Sequence, residues 1–372
     1  MSNHIRIISF PSILWFVLLL LRSSFSDAKT VPLFFIFGDS LVDAGNNNYL
    51  HTIAKANVKP YGIDYTPSGG KPTGRFCNGK TFLDLTVDEF GGSCYPPPSL
   101  SLSPDDDGTL CGVNYASSGG GILNDTGALF LERISMDAQI DTYANTRQNM
   151  ITNLGREKAT ELLKNAVFPI VVGSNDFLDN FLTPIIGTRE YIPQDVFIAQ
   201  MLDMHYSQLT RLHSLDARFI IIWNVPPIGC MPLERKMNPW YGGKCADSAN
   251  ELVSDYNKKL KDMITELRPN LSEVTLLFVD AYYVLYDLLL HKSDYGIKVA
   301  GEGCCTNVGP VVELFPCKET STYCEDRSKY AFWDEYHPSE FVNRLSVKRY
   351  MDGDTKHVLP FNIRRAMKLR GF

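Results

Sequence analysis

The sequence predicts an α/β fold, a parallel sheet with helices covering both of its faces. Two observations carry this. Short apolar, β-branched runs recur at residues 31–37, 167–172, 219–225 and 274–279, each the length of a strand buried on both sides. Between them lie stretches of helical periodicity, and strand alternating with helix builds a parallel sheet. The balance of 44% hydrophobic and 21% charged residues is that of a folded globular chain, which excludes disordered, fibrous and multi-spanning classes.

The clearest helix places Leu252, Tyr256, Leu260, Met263, Ile264 and Leu267 on one face. Lys258, Lys259 and Lys261 lie off that stripe, and Pro269 ends the helix,. A length of 372 residues allows two domains,. The chain has no repeat period and no low-complexity linker, so residues 29–372 are expected to form one domain. The Pro/Gly/Ser-rich stretch 91–108 reads as a surface loop.

Residues 1–28 read as a secretory signal peptide. His4 and Arg6 precede an apolar run from Ile13 to Leu21, and Ser24, Ser26 and Ala28 supply small residues for cleavage,. That run is nine residues long, against about 20 for a membrane span, so secretion is expected and no transmembrane segment. Removing residues 1–28 takes away Arg6, Arg22 and Asp27, and moves the net charge from −6 to −7. An acidic chain of this kind is not built to bind nucleic acid. Nine cysteines follow the signal; in an oxidising compartment most should pair, and an odd count leaves one over. Cys230 with Cys245 closes a short loop, while Cys304, Cys305, Cys317 and Cys324 cluster together. Zinc spacing is absent from this pattern. Asn124 and Asn270 head glycosylation sequons consistent with export,.

Three segments place reactive side chains after predicted strands or near the chain end. Phe37-Gly38-Asp39-Ser40-Leu41 puts a serine just past the first strand, at the edge where open α/β sheets bind ligands,. Gly173-Ser174-Asn175-Asp176 repeats the placement after the second run. Asp334-Glu335-Tyr336-His337-Pro338 spaces a carboxylate and an imidazole three residues apart, about one helical turn, so the acid can accept a bond from the ring. A competing motif, Gly74 to Thr81, matches the P-loop pattern, and 276–280 could pass as a strand ending in a magnesium-binding aspartate,. The residues before it, 66–73, are polar and Pro/Gly-rich rather than a strand, so nucleotide binding is not expected. Gly-x-Ser-x-Gly is absent, so an α/β-hydrolase elbow is unsupported.

With these blocks in hand, the chain resembles the plant GDSL esterase/lipase family of the SGNH hydrolase superfamily. The resemblance rests on residues 37–48 (Phe-Gly-Asp-Ser-Leu-Val-Asp-Ala-Gly-Asn-Asn-Asn), 112–117 leading into Gly119–Gly121, 173–176, and 332–338, in that order. It implies a three-layer α/β/α sandwich with a flavodoxin-like parallel sheet. It implies Ser40 as nucleophile, His337 as general base and then acid, and Asp334 as the group that orients the imidazole. The oxyanion hole it implies comprises the backbone amides of Ser40 and Gly119 and the side-chain amide of Asn175; a glycine at 119 also permits close approach of substrate. Ser118 stands where members often carry glycine, beside the expected hole, and the loop after Cys304-Cys305 also departs from the pattern.

The expected function is therefore a secreted serine esterase/lipase, extracellular in cell wall or apoplast, acting on acyl lipids or acylated wall polymers with no cofactor and no metal. An acyltransferase with an alcohol acceptor, or a non-catalytic wall-binding protein, are the alternatives. The C-terminal stretch 344–372 carries eight basic and two acidic residues. That basic end, densest over about 352–372, is expected either to fold back on the acidic body or to hold acidic polysaccharide.

Overall fold

Runs of Phe, Ile and Val that are buried on both sides need a cover for each face, and the chain supplies helices for both. In the computed structural model, which describes residues 31–103, 110–182, 192–306 and 317–372, five parallel strands form the sheet. They are β1 (Phe34–Gly38), β2 (Gly112–Asn114), β3 (Phe168–Val171), β4 (Phe219–Trp223) and β5 (Thr275–Val279). Two small sheets follow: β6 (Val299–Gly303) pairs with β9 (Tyr330–Phe332), and β7 (Cys305–Thr306) with β8 (Thr322–Tyr323). A short β10 (Val358–Leu359) lies antiparallel on β5. The parallel strands run in the order 2-1-3-4-5, the flavodoxin-like arrangement, whose ligand crevice opens between β1 and β3.

All four apolar runs are strands, within a few residues of their expected ends. β2 and β10 were not expected, because three and two residues carry too little apolar pattern to show. The candidate signal peptide, residues 104–108 of the 91–108 loop and residues 307–309 after Cys304-Cys305 lie outside the described residues.

Alternation along β1 divides its side chains between the two faces. Phe35 and Phe37 pack on Tyr143 of the helix Met136–Leu154, with ring centroids 5.4 and 5.7 Å apart. Phe34 turns the other way onto Phe90, at 5.1 Å. On that second face Trp223 meets Phe82 at 5.5 Å and Tyr350 at 6.0 Å, from the helices Phe82–Glu89 and Glu340–Asp352. The amphipathic stripe read at 252–267 is the inner face of the helix Asp247–Leu267, which stops before Pro269. Its Tyr256 packs on Phe177 at 5.4 Å.

Disulfides join Cys94 to Cys111, Cys230 to Cys245, Cys304 to Cys324 and Cys305 to Cys317. Cys77 is left over and buried, and burial holds its thiol far above the usual range. The two bridges of the 304–324 region sit in a small second apolar cluster with Tyr61, Phe76 and Trp333.

Candidate active site

The turn after β1 is fixed by close approach. A Cβ on Gly38 would stand 2.2 Å from the Val171 carbonyl oxygen, so glycine is needed where β1 lies against β3. Buried Gln139, from the helix Met136–Leu154, holds both backbone groups of Gly38. Its Oε1 accepts from the Gly38 N–H at 2.8 Å, and its Nε2 donates to the Gly38 carbonyl at 2.8 Å. Ser40 follows, half-buried, with its side chain lining a pocket.

The histidine segment arrives from β9. The three-residue spacing of Asp334 and His337 predicts a helical turn; the segment 333–337 is a series of bends instead. Asp334 Oδ1 accepts from the Tyr336 and His337 backbone N–H groups, at 2.9 and 2.8 Å, which competes with helical bonding. The pairing survives this change. His337 Nδ1 lies 2.9 Å from both Asp334 oxygens, and its Nε2 lies 2.8 Å from Ser40 Oγ. An ionised Asp334 only accepts, so Nδ1 carries the proton and Nε2 is free to accept from serine. Burial pushes the Asp334 carboxyl up, but the charge of His337 and the hydrogen bonds more than offset it, leaving it below the ordinary range.

Tyr61 was not singled out in the sequence. Its hydroxyl donates to Asp334 Oδ2 at 2.8 Å, and the residue is fully buried. Phe76 packs on the His337 ring at 5.0 Å. Between them they hold the Asp–His pair in an apolar setting.

Gly119 and Asn175 line the same pocket as Ser40. Gly119 has φ +79°, and a Cβ there would stand 2.7 Å from the Phe130 ring. Asn175 Nδ2 donates to the Gly120 carbonyl at 2.9 Å, which orients its amide and leaves a second N–H. The three asparagines after Gly45 are clamps: Asn47 Nδ2 donates to the Ala54 and Ser118 carbonyls, Asn46 Nδ2 to those of Asn114 and Ala116, and Asn48 Nδ2 to that of Thr73. Asp43 Oδ2 accepts from the Ser118 N–H at 3.3 Å. Ser118 is thus held through its backbone, beside the Gly119 turn. Asp176 ties the same loop to β3, accepting from the Ile122 and Leu123 N–H groups and the Thr126 hydroxyl.

Two more carboxyls face this pocket without having been anticipated. Burial pushes Asp39 up to about 7, against the pull of the Leu41 N–H and the His337 charge, and its Oδ2 has no partner. Asp179 is pushed up to about 8 by burial and by neighbouring Asp176 and Asp39. The pocket encloses about 580 Å³ of empty space, counting its mouth, and Leu41, Phe76, Phe130, Leu178 and Met231 give it a mostly apolar wall.

This arrangement can polarise a hydroxyl toward a bound carbonyl, with N–H donors on the facing loops. A family model described as GDSL-like Lipase/Acylhydrolase matches residues 34–349. The chain belongs to the GDSL-like lipase/acylhydrolase family. Three GDSL esterase/lipases of Arabidopsis thaliana are among its relatives. Two are 43% and 44% identical, each alignment covering 92% of both chains, and a third is 46% identical over 88% of this chain and 86% of its own. As a GDSL family member the protein is a carboxylic ester hydrolase.

Other candidates fall elsewhere. Within the P-loop-like segment, Arg75 forms a buried pair with Asp84, Lys80 pairs with Asp88 at 2.6 Å, and Thr81 caps the helix Phe82–Glu89. Residues 66–73, which lead into it, form no strand, so its cation and hydroxyl serve the fold. Among the described residues no group of three or more His, Cys, Asp or Glu is placed to hold a metal ion, and no helix is long and apolar enough to cross a membrane. Asn124 and Asn270 are exposed. Of the basic C-terminal residues, Arg364 pairs with Asp352 and Glu89, Arg349 with Asp287, and Arg344 with Glu340. The last helix, Ile363–Arg370, packs on the body, and Phe372 beyond it stacks on Phe219.

Proposed function

We propose that the chain is a secreted serine esterase that hydrolyses carboxylic esters through an acyl-enzyme on Ser40. The observation that supports this best is the continuous contact from Ser40 Oγ through the imidazole of His337 to buried Asp334. In the first half-reaction His337 Nε2 takes the hydroxyl proton as Oγ bonds to the ester carbonyl carbon, and the carbonyl electron pair moves to oxygen. Asp334, braced by Tyr61, stabilises the imidazolium that forms. The oxyanion would be received by the amides of Ser40, Gly119 and Asn175, neutral donors that line the same pocket,. Collapse expels the alcohol, which takes its proton from His337. Water then repeats the sequence, releasing the acid and restoring Ser40.

In this reading residues 1–28 are removed on export and residues 29–372 act as one domain. Asn124 and Asn270 carry glycans, and exposed Lys348, Lys356, Arg365 and Lys368 give acidic wall polysaccharide a surface to meet.

The test is pre-steady-state hydrolysis of p-nitrophenyl acetate. A burst of one p-nitrophenol per enzyme, with one acetyl group trapped on Ser40, is expected. A linear onset with no acylated serine would contradict the acyl-enzyme. Adding an alcohol acceptor separates hydrolysis from transfer: free acid as the main product supports the esterase, and a new ester as the main product would make the protein an acyltransferase.

A further inference from the structure

Two carboxyl oxygens in the pocket of Ser40 are used neither by the Ser40–His337–Asp334 contact nor by the fold. Asp39 is 1% exposed; its Oδ1 accepts from the Leu41 N–H at 3.0 Å, while its Oδ2 is buried with no protein partner. Asp179 Oδ2 is likewise buried and unpartnered. Both residues line the pocket. Their neighbour Asp176 shows the contrast, because the Ile122 and Leu123 N–H groups and the Thr126 hydroxyl occupy both of its oxygens. A buried polar group ordinarily has a partner, and one without is costly. The two free oxygens are therefore left for a ligand of the pocket.

Burial pushes Asp39 up to about 7 and Asp179 up to about 8, the latter helped by the charges of Asp176 and Asp39. A protonated carboxyl both donates and accepts, as a hydroxyl does, whereas a cation calls for ionised acids. The place of the pair decides which half of an ester it meets. The departing alcohol takes its proton from His337, so it lies against that ring. Asp39 feels the His337 charge, and Asp179 is the strongest charge acting on Tyr336, the chain neighbour of His337. Asp179 also follows Asn175 by one turn, where the helix Ser174–Phe177 runs into the wide turn Leu178–Leu182. Positions four apart on a helix face stand about 5–6 Å from each other. An ester carbonyl and a hydroxyl on the adjacent carbon of the alcohol can bridge that span.

We propose that Asp179 and Asp39 form a hydroxyl-binding subsite for the alcohol half of the ester, so that the preferred substrate is a partial ester of a polyol with a free hydroxyl beside the acylated one. The proposal rests on the esterase reading above. The substrate hydroxyl donates to one free carboxyl oxygen and accepts from the protonated acid. An alkyl alcohol leaves both oxygens covered and unpaired, because Leu41, Phe76, Leu178 and Met231 around them offer no hydrogen bond. A site built to hydrogen-bond a hydroxyl strongly rejects the analogue that lacks it. Glycerol and a sugar ring both present neighbouring hydroxyls, and the subsite reads that shared feature.

Paired butyrate esters test this. In the wild type, hydroxyethyl butyrate should exceed methoxyethyl butyrate in kcat/KM at least about tenfold, since the two leaving groups are similarly reactive and only the first can donate. Asp179→Leu should bring that ratio close to one, and Asp179→Asn, which keeps a donor and an acceptor, should retain most of it. General destabilisation would lower both rates and leave the ratio alone. Glycerol monobutyrate and methyl xyloside monobutyrate, each against its O-methylated analogue, separate the two sources, and the larger ratio names the polyol. A wild-type ratio near one, or a ratio unmoved in Asp179→Leu, would overturn the subsite and leave the esterase standing. So would an equal preference for a hydroxyl on the acyl group, or faster turnover of butyrylcholine than of its uncharged carbon isostere. Hydrolysis of no ester would overturn the esterase reading itself, and the subsite with it.

Discussion

In the proposed mechanism Tyr61 and Asn175 are single side chains that act from opposite sides of the site. Tyr61 donates to Asp334, and in that mechanism it positions the carboxylate and, through it, the His337 ring. Tyr61→Phe removes one hydrogen bond to a buried carboxylate, a contact of about 1.5–3 kcal/mol, so kcat should fall roughly tenfold or more while KM stays near wild type. A change in KM alone would remove Tyr61 from the orienting role. Asn175→Ala should lower kcat by about 10²–10³, the usual effect of losing one oxyanion donor; steady-state kinetics showing kcat unchanged would exclude it from the hole. Asp39 offers a pH readout. Burial raises it from 3.8 to about 7 on folding, so the folded state binds that proton more tightly than the unfolded chain. Its stabilising contribution is full below about pH 4 and is lost as pH rises through 7. Asp39→Asn keeps an acceptor for the Leu41 N–H and removes the titration. Its melting temperature relative to wild type should therefore climb between pH 4 and 7 and level off above. A pH-independent difference would show that Asp39 does not titrate there. Ser40, Asp334 and His337 were legible because each sits in a short block whose chemistry is local. Tyr61 and Gln139 were not, since they reach their partners across 273 and 101 residues of chain and nothing beside them in the sequence marks the contact.

The elements were legible in proportion to their apolar content. β1, β3, β4 and β5 are nearly all-apolar runs, and their positions follow from burial on both faces. β2 is the instructive miss: Gly112-Val-Asn is too short to show a strand pattern, yet its register with Phe34–Ile36 brings Ser118 and Gly119 to the site. The bend at 333–337 is a second case. Spacing alone suggested a helical turn, but Asp334 takes the backbone N–H groups a helix would have used. The helix Phe82–Glu89 depends on Asp84, which completes a capping box with Thr81 and receives two bonds from buried Arg75, at 2.8 and 2.9 Å. Asp84→Asn leaves the guanidinium buried without its counter-charge, and breaking a buried pair in this way costs about 3–5 kcal/mol. Urea denaturation should show a loss of that size; a loss under 1 kcal/mol would mean that water or another acid replaces Asp84.

At the scale of the molecule, the acidic body and basic end suggested by the charges meet in the fold. Arg364 bridges Asp352 and Glu89, and Phe372 packs on Phe219, so residues 356–372 are part of the structure and not a detachable tail. Polysaccharide attachment is therefore tested by charge, not by deletion. Lys356→Glu, Arg365→Glu and Lys368→Glu together should release the protein from pectin at lower salt, while unchanged, salt-independent retention would show that this surface is not used. The order of the strands was not legible either, because sequence periodicity shows which segments are strands but not which neighbour each one chooses. That order places the loops carrying Ser40, Gly119 and Asn175 at one sheet edge, and the β9 segment brings His337 to meet them. The most direct test of the whole arrangement is labelling of the folded protein with a fluorophosphonate, followed by mass spectrometry of the modified peptide. A single adduct on Ser40, abolished in Ser40→Ala, is the predicted result. Folded wild-type protein that takes no label, or a Ser40→Ala variant that still does, would contradict it.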